Sequence, residues 1–349
     1  MKGIKIGVDF GSYSLKMCTE NNINVVDEFS AIATSAESGV PIAFGKNADN
    51  LDGRTDDDIN VTRVITNGVV SEFTFAEKLL TYYLSKVCGN RIYKPNVLIS
   101  LPSDVSSLEK KIFLDAVTRA GAGRACLADG ILASAFGSGI SEEKVGGRMV
   151  IDLGHQTTEL GIVSMGTVAA SSTVRRGSFD IDEAIIKHMK KDRDIIIGPH
   201  TARAIKHKIA FAENRDSEVS LMASGKSGID EMPISFEVTS TEIFPFVDEQ
   251  IKILVAEIHS CLKNISPELL GDAADHGITL CGGGALLFDI AERFEEELDI
   301  RCNVTEEPEK ARTRGLHKIM KSTKIMENND YQFIFKDDIR DKLKRFDKI

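Results

Sequence analysis

The feature that most narrows the possible folds is a pattern that occurs twice. Residues 4–18 read as an apolar strand, a turn at Asp9-Phe10-Gly11-Ser12 and a second alternating strand. Residues 149–164, MVIDLGHQTTELGIVS, repeat it with a turn at Asp152-Leu153-Gly154-His155. The copies lie roughly 145 residues apart, a spacing of whole subdomains rather than of short solenoid repeats. A duplicated α/β domain accounts for this, each half opening on the same hairpin and the two turns facing one another across a cleft. Glycine at such a turn lets backbone N–H groups approach an anion closely.

The chain has 349 residues, long enough for two lobes with separate cores. Its 42% hydrophobic and 28% charged residues are those of a globular chain. A net charge of −10 argues against nucleic acid as a partner, since a phosphate backbone needs a basic face. The six cysteines show no metal-ligand spacing and read as thiols in a reducing cytoplasm. MKGIKIGVDF runs straight into a strand pattern with no signal-peptide features. No segment approaches the ~18 apolar residues of a membrane span, so the expected location is cytoplasmic.

The first lobe is expected over 1–146, with a small polar subdomain at about 31–65. Helical spacing at 73–87, a proline-bounded apolar strand at 95–102 and a serine-started helix ending at Gly121 follow. The small residues of 131–139 suit a helix packed closely against a neighbour. The second lobe is expected over 147–315, its small subdomain at about 182–242. There the patterns predict helices at 182–191 and 201–212, a β-rich insertion at 217–238 and a long amphipathic helix at 243–264. A strand at 277–281 then runs into Gly282-Gly283-Gly284, a glycine turn opening a helix. The tail, 316–349, is expected to return a short helix to the first lobe and end in a loosely held charged stretch.

Three glycine turns therefore terminate strands in three separate stretches. The first two suit phosphates, and the third, ahead of a helix, suits a base and ribose. Asp9 and Asp152, one per lobe, suit a hydrated Mg²⁺, which needs few direct protein ligands.

IGVDFGSYS, MVIDLGHQTTELGIVS and ITLCGGGALL resemble the phosphate-1, phosphate-2 and adenosine motifs of the actin, Hsp70 and sugar-kinase superfamily. Within it the chain is similar to the MreB family, the bacterial actin-like rod shape-determining proteins. NGVVSEF, AVTRAGAGRACL, DEAIIKHMKK, TARAIKHKI and PELLGDAADHGITLCGGGALL extend the likeness from near residue 4 to about residue 318. The resemblance implies an actin-like ATPase fold: two duplicated RNase H-like lobes around a nucleotide cleft, each with a smaller inserted subdomain. It implies ATP and Mg²⁺ as cofactors. It also implies filaments beneath the inner membrane, made with copies of itself and MreB paralogues and working with the cell-wall elongation machinery.

Carried over residue by residue, the likeness puts Gly11, Ser12, Tyr13, Gly154, His155, Gln156 and Thr157 at the phosphates. Lys206 would reach the adenosine side, and Gly282, Gly283, Gly284 and Ala285 would pack on the nucleotide. Asp9 and Asp152 would sit near Mg²⁺ through water. Lys16 resembles the phosphate-contacting lysine of eukaryotic actin, with an outward-facing strand lysine as the alternative. Ile92 and Tyr93, in GNRIYKP, fall where the family carries an apolar membrane loop, with strand capping as the alternative.

The departures from the family pattern concern catalysis. Its phosphate-2 turn, Asp-Ile-Gly-Gly-Gly-Thr-Thr-Glu, here has His155 and Gln156 in place of two glycines. Those side chains either reach a phosphate or face solvent. Glu-Glu-Pro, where one glutamate orients the attacking water, reads Asp129, Gly130, Ile131. Asp129 is either a replacement water-positioner or a helix N-cap. Gly-Gly-Asp after the hairpin reads Gly177, Ser178, Phe179. The expected function is a filament-forming ATP-binding protein of cell-shape control with slow or impaired hydrolysis. The alternatives are a non-polymerising ATP-bound adaptor and a small-molecule kinase, the latter lacking the extra insertions a substrate pocket would need.

Overall fold

The computed structural model describes residues 3–54, 58–90, 92–143, 146–215 and 217–335. Arg91, beside the expected membrane loop, and the end of the charged tail lie outside the described residues.

Each lobe is built on a sheet with the same strand order. In the first, Val26–Phe29, Ser14–Thr19 and Lys5–Phe10 form an antiparallel meander, extended by the parallel strands Asn96–Leu101 and Arg124–Asp129. In the second, Thr167–Val174, Thr158–Ser164 and Arg148–Leu153 form the meander, extended in parallel by Ile278–Cys281 and Cys302–Val304. The central strands are buried on both faces and read as near-continuous apolar runs, as parallel-sheet strands do.

Small subdomains are inserted at equivalent edges. Ala31–Ser35, Pro41–Phe44 and Ile59–Arg63 make a three-stranded sheet over a cluster containing Ala31, Ala33 and Ala48. Opposite, Ile195–Ile196, Ser220–Ser227 and Pro233–Thr239 form another, beside the helices Ser178–Asp192 and Pro199–Ile209. The 23-residue helix Ser240–Leu262 begins at the Thr239 cap and returns the chain to the second core.

Between the sheets lie two helices, Gly130–Gly137 and Ala311–Lys321, within a shared core that also holds Leu98, Val150 and Cys281. A Cβ on Gly137 would overlap the Ala311 carbonyl, and one on Gly315 would overlap the Ala133 carbonyl. The small residues predicted to allow a close helix contact therefore do so, and their partner is the C-terminal helix. Residues 322–335 after it hold more regular structure than their charge suggests. Thr323–Asn328 is helical, and Ile334–Phe335 pairs antiparallel with Arg124 and Ala125 as a sixth strand of the first sheet. Packing of Ile325 and Tyr331 into the shared core supplies the burial that a purely charged tail would lack.

Candidate functional site

The two hairpins close in the same way. Gly11 N–H donates to the Ser14 carbonyl at 3.0 Å, and Gly154 N–H donates to the Thr157 carbonyl at 2.9 Å. Neither glycine has a positive φ, and His155 and Gln156 are not among the left-handed residues. Replacing the two inner glycines therefore adds side chains without backbone strain. Gly154 itself is fixed by space, since a Cβ there would lie 2.5 Å from the Thr157 carbonyl oxygen. Gly282 is the glycine that needs its φ, +83°.

Between the turns is a cavity of about 400 Å³. Its lining brings together Asp9, Gly11, Ser12, Tyr13, Lys16, Asp152, Gly154, His155, Thr157, Lys206, Gly282 and Gly283 from the predicted set. Ser178, Lys206, His207, Gly283 and Leu286 also line a second chamber of about 270 Å³, where Gly284 joins the apolar side chains of Leu153, Ile181, Leu254 and Phe288. Lys16 is not an outward-facing lysine: it is 9% exposed and donates to Ser14 Oγ at 2.6 Å.

Several charges on the cavity wall are already paired. Lys206 Nζ lies 2.8 Å from Asp182 and donates to the Ser178 carbonyl at 2.7 Å. Burial pushes Lys206 down and Asp182 up from their ordinary values. At the cleft floor, Arg312 donates through Nη2 to Asp152 Oδ2 at 2.7 Å and to Glu159 Oε1 at 2.5 Å. Its Nε lies 3.1 Å from the same Asp152 oxygen, which also accepts from Ser134 Oγ at 2.5 Å. Glu159 is 1% exposed and its Oε2 has no partner, so burial raises its pKa to about 7 against the pull of Arg312. Burial also raises Asp9, while Arg312 and Lys16 oppose the shift.

An aromatic chain crosses the cleft mouth. Tyr13 packs edge-on against Phe29 at 4.9 Å, His155 lies 5.0 Å from Tyr13, and Phe179 lies 5.1 Å from His155. Burial, with Lys206 and Arg203 nearby, lowers the His155 pKa to about 2, so its ring is neutral. Arg203 stacks on the Tyr13 ring at 4.7 Å. Above this, His200 Nε2 donates to the Asp49 carbonyl at 2.8 Å, tying the two small subdomains together.

Four sequence expectations change. Asp129 does not face the cavity: Tyr331 donates to its Oδ2 at 2.7 Å, and its own N–H donates to the Tyr331 hydroxyl at 3.0 Å. It heads the helix Gly130–Gly137 without a side-chain cap bond. Gln156 turns away from the cavity, its Oε1 accepting from Asn67 N–H of the first lobe at 3.0 Å. Ala285 is buried behind the glycine turn rather than on the cavity wall. Finally, Asp152 is committed within the protein and is not free to share a hydrated Mg²⁺ with Asp9. One Asp152 oxygen already takes Ser134 and Arg312, and the other packs against Gly282. Arg312 is the residue that sequence reasoning missed.

A model of the MreB/Mbl protein family matches residues 3–328. The chain belongs to the MreB/Mbl family. It is 30% identical to the cell shape-determining protein Mbl of Bacillus subtilis, covering 87% of this chain and 91% of that one. It is likewise 30% identical to the cell shape-determining protein MreB of Escherichia coli, covering 89% and 91%. Among solved structures, MreB5 of Spiroplasma citri bound to ADP superposes with a TM-score of 0.88 at 26% identity, over 93% of this chain and 98% of that one. The MamK double helical filament, at 15% identity, 92% and 99% coverage and a TM-score of 0.77, shares the fold alone. The duplicated sheets are thus the two lobes of an actin-like protein, and the cavity lies where they meet. Ile92 and Tyr93 are 93% and 49% exposed at the outer end of the first lobe's sheet. Among the described residues no helix is long and apolar enough to cross a membrane.

Proposed function

We propose that this chain binds an adenine nucleotide between its lobes and assembles, alone or with MreB paralogues, into filaments that act in cell-shape determination. The observation that carries the reading is the convergence of Gly11, Gly154 and Gly283, from three separate stretches, on one cavity of about 400 Å³. That volume is within the ~300–1,000 Å³ of small-molecule sites. The Spiroplasma citri MreB5 structures with ADP and with AMPPNP, at 26% and 27% identity, support an adenine nucleotide as the occupant.

In this reading, the turns closed by Gly11 and Gly154 present the backbone N–H groups of Ser12, Tyr13 and Thr157 to the phosphates. Lys16, Arg203 and Lys206 supply positive charge from the same wall. The apolar chamber of about 270 Å³ beside Gly283 and Gly284 takes the base. Hydrolysis is slow or absent, because Asp129 is held by Tyr331 and position 130 carries no side chain to orient water. The filaments lie at the inner face of the membrane, touched by Ile92 and Tyr93 and by the wall-elongation machinery. Many weak contacts along a filament add up to attachment.

Calorimetric titration of the full chain with ADP and ATP, followed by sedimentation with each nucleotide and a paralogue, tests this. Saturable binding, a sedimenting polymer and phosphate release near background are expected. Failure to bind either nucleotide would overturn the reading.

A further inference from the structure

We infer that Arg312 is a built-in cation that takes the place of a divalent metal ion in this cleft, so that nucleotide binding here does not require Mg²⁺. The inference rests on the nucleotide reading of the cavity and adds the chemistry by which its acidic floor is neutralised.

Two cleft aspartates without a counter-ion would repel a polyphosphate, and a divalent ion is one remedy. Here Asp152 already has a cation of the chain's own, and the same cation acts on Asp9. Arg312 spans Asp152 Oδ2 at 2.7 Å and Glu159 Oε1 at 2.5 Å, while Lys16 sits in register opposite Asp9. Arg312 is thus the cation common to the three cleft carboxylates Asp9, Asp152 and Glu159. A guanidinium is always charged and its planar fork fits carboxylates. The Asp152 oxygen that would orient metal-bound water is taken, since Oδ2 also accepts from Ser134 Oγ at 2.5 Å.

The space that Arg312 occupies has a cause in the sequence. A Cβ on Gly130 would come within 2.8 Å of Arg312 Nη1 and 3.0 Å of its Cζ. The Leu101 carbonyl oxygen, 2.9 Å from that same Cβ, blocks escape on the other side. A side chain at 130 and the guanidinium therefore exclude one another. Within the likeness to the family's Glu-Glu-Pro, position 130 is where a glutamate would stand. One spot in the cleft has exchanged an acid for a cation. Water orientation and metal coordination are lost together, and charge neutralisation is kept.

The test is the affinity of the purified full chain for ADP, which avoids turnover, measured in Mg²⁺ and again in EDTA. Equal affinity, within about twofold, is expected; a loss of about tenfold or more in EDTA overturns the proposal. Binding in neither buffer overturns the nucleotide reading and this inference with it, whereas binding in Mg²⁺ alone overturns only the inference. The double variant Arg312→Ala/Glu159→Gln removes the guanidinium without leaving Glu159 as an unpaired charge. It should lose about tenfold or more in EDTA and recover with Mg²⁺. Should it bind equally in both buffers, Arg312 is not the substituting cation. If the variant does not fold, the native chain's comparison in the two buffers decides alone.

Discussion

In the first hairpin, the turn aspartate lies opposite a lysine, Asp9 against Lys16. In the second, it lies opposite another acid, Asp152 against Glu159. The strands, the turn hydrogen bond and the position in the sheet are the same. The charge balance differs in where it comes from. The first lobe sets a lysine one strand away from its aspartate, paired with Asp27, and shares Arg312 as well. The second reaches to Arg312, on a helix that follows at the far end of the chain. A local pair on a half-open wall is replaceable, while a distant cation that serves two buried carboxylates is not.

The largest effect should come from breaking the distant balance. Arg312→Ala leaves Asp152 and Glu159, 6% and 1% exposed, without their cation. Removing one partner of a buried ion pair costs ~3–5 kcal/mol, because the remaining charge stays buried. Urea unfolding of the purified chain measures it. Lys16→Ala is the mirror deletion, and its partner Asp27, 3.9 Å away, has a side chain 42% exposed. Its cost should stay near ~1 kcal/mol, as for exposed pairs. Equal losses would show that the two hairpins are balanced alike.

The second comparison is between two groups of the same hairpin that titrate in opposite senses. Glu159 has a folded pKa of about 7 against 4.5, so the native chain keeps a proton that the unfolded chain releases. Its contribution is whole below 4.5 and is lost as pH rises through about 7. His155 has a folded pKa of about 2 against 6.5, so the unfolded chain gains a proton first. Its contribution is whole above 6.5 and is lost as pH falls through about 2. Between 4.5 and 6.5 the two slopes oppose each other. Each proton accounts for up to about 1.4 kcal/mol per pH unit, and the acidic cluster titrates as a group. Glu159→Gln should therefore steepen the rise of stability with pH, and His155→Gly should tilt it downward. Unfolding at several pH values across that window measures both, and two unchanged profiles would remove the assignment.

His155→Gly also restores the family's glycine and tests what the ring does at neutral pH. It removes the contacts to Tyr13 and Phe179 at 5.0 and 5.1 Å. Aromatic pairs are worth ~0.5–1.5 kcal/mol each, so a loss of about 2 kcal/mol is expected. Tyr13 and His155 meet across the cleft mouth, so a fluorescent nucleotide should leave the variant faster in stopped flow. An unchanged release rate would mean that the ring contact does not hold the lobes together.

Both hairpins were legible from the chain alone, because strand alternation and Asp-x-Gly turns are local signals. The acid opposite Asp152 was legible as well, since Glu159 is fixed by counting outward from the turn. That pairing demands a cation, but nothing local names which one. Arg312 lies in a charged helix whose apolar spacing marks a buried face but does not say what its cations reach. Its reach depends on the missing side chain at Gly130 and on the glycine contacts of two helices distant in sequence. Gln156 was misplaced for a related reason. Its partner, Asn67 N–H, belongs to the other lobe, and only the closed arrangement of lobes brings them together.

Asp129 and Tyr331 give the sharpest distinction between the lobes' chemistry and their scaffolding. Tyr331, 9% exposed, donates to Asp129 Oδ2 at 2.7 Å and accepts from Asp129 N–H at 3.0 Å. This contact joins the last described segment to the strand Arg124–Asp129, next to the pairing of Ile334–Phe335. Tyr331→Phe keeps the ring and removes only the hydroxyl, so the loss should be about 2 kcal/mol, two hydrogen bonds. If Asp129 were a water-positioner restrained by that hydroxyl, freeing it would raise phosphate release, and Asp129→Ala would abolish the gain. With a purely structural carboxylate, both variants release phosphate at the same background rate as the native chain while unfolding at slightly lower urea. The second outcome is expected, because the cation at the cleft floor, and not Asp129, occupies the space beside Gly130.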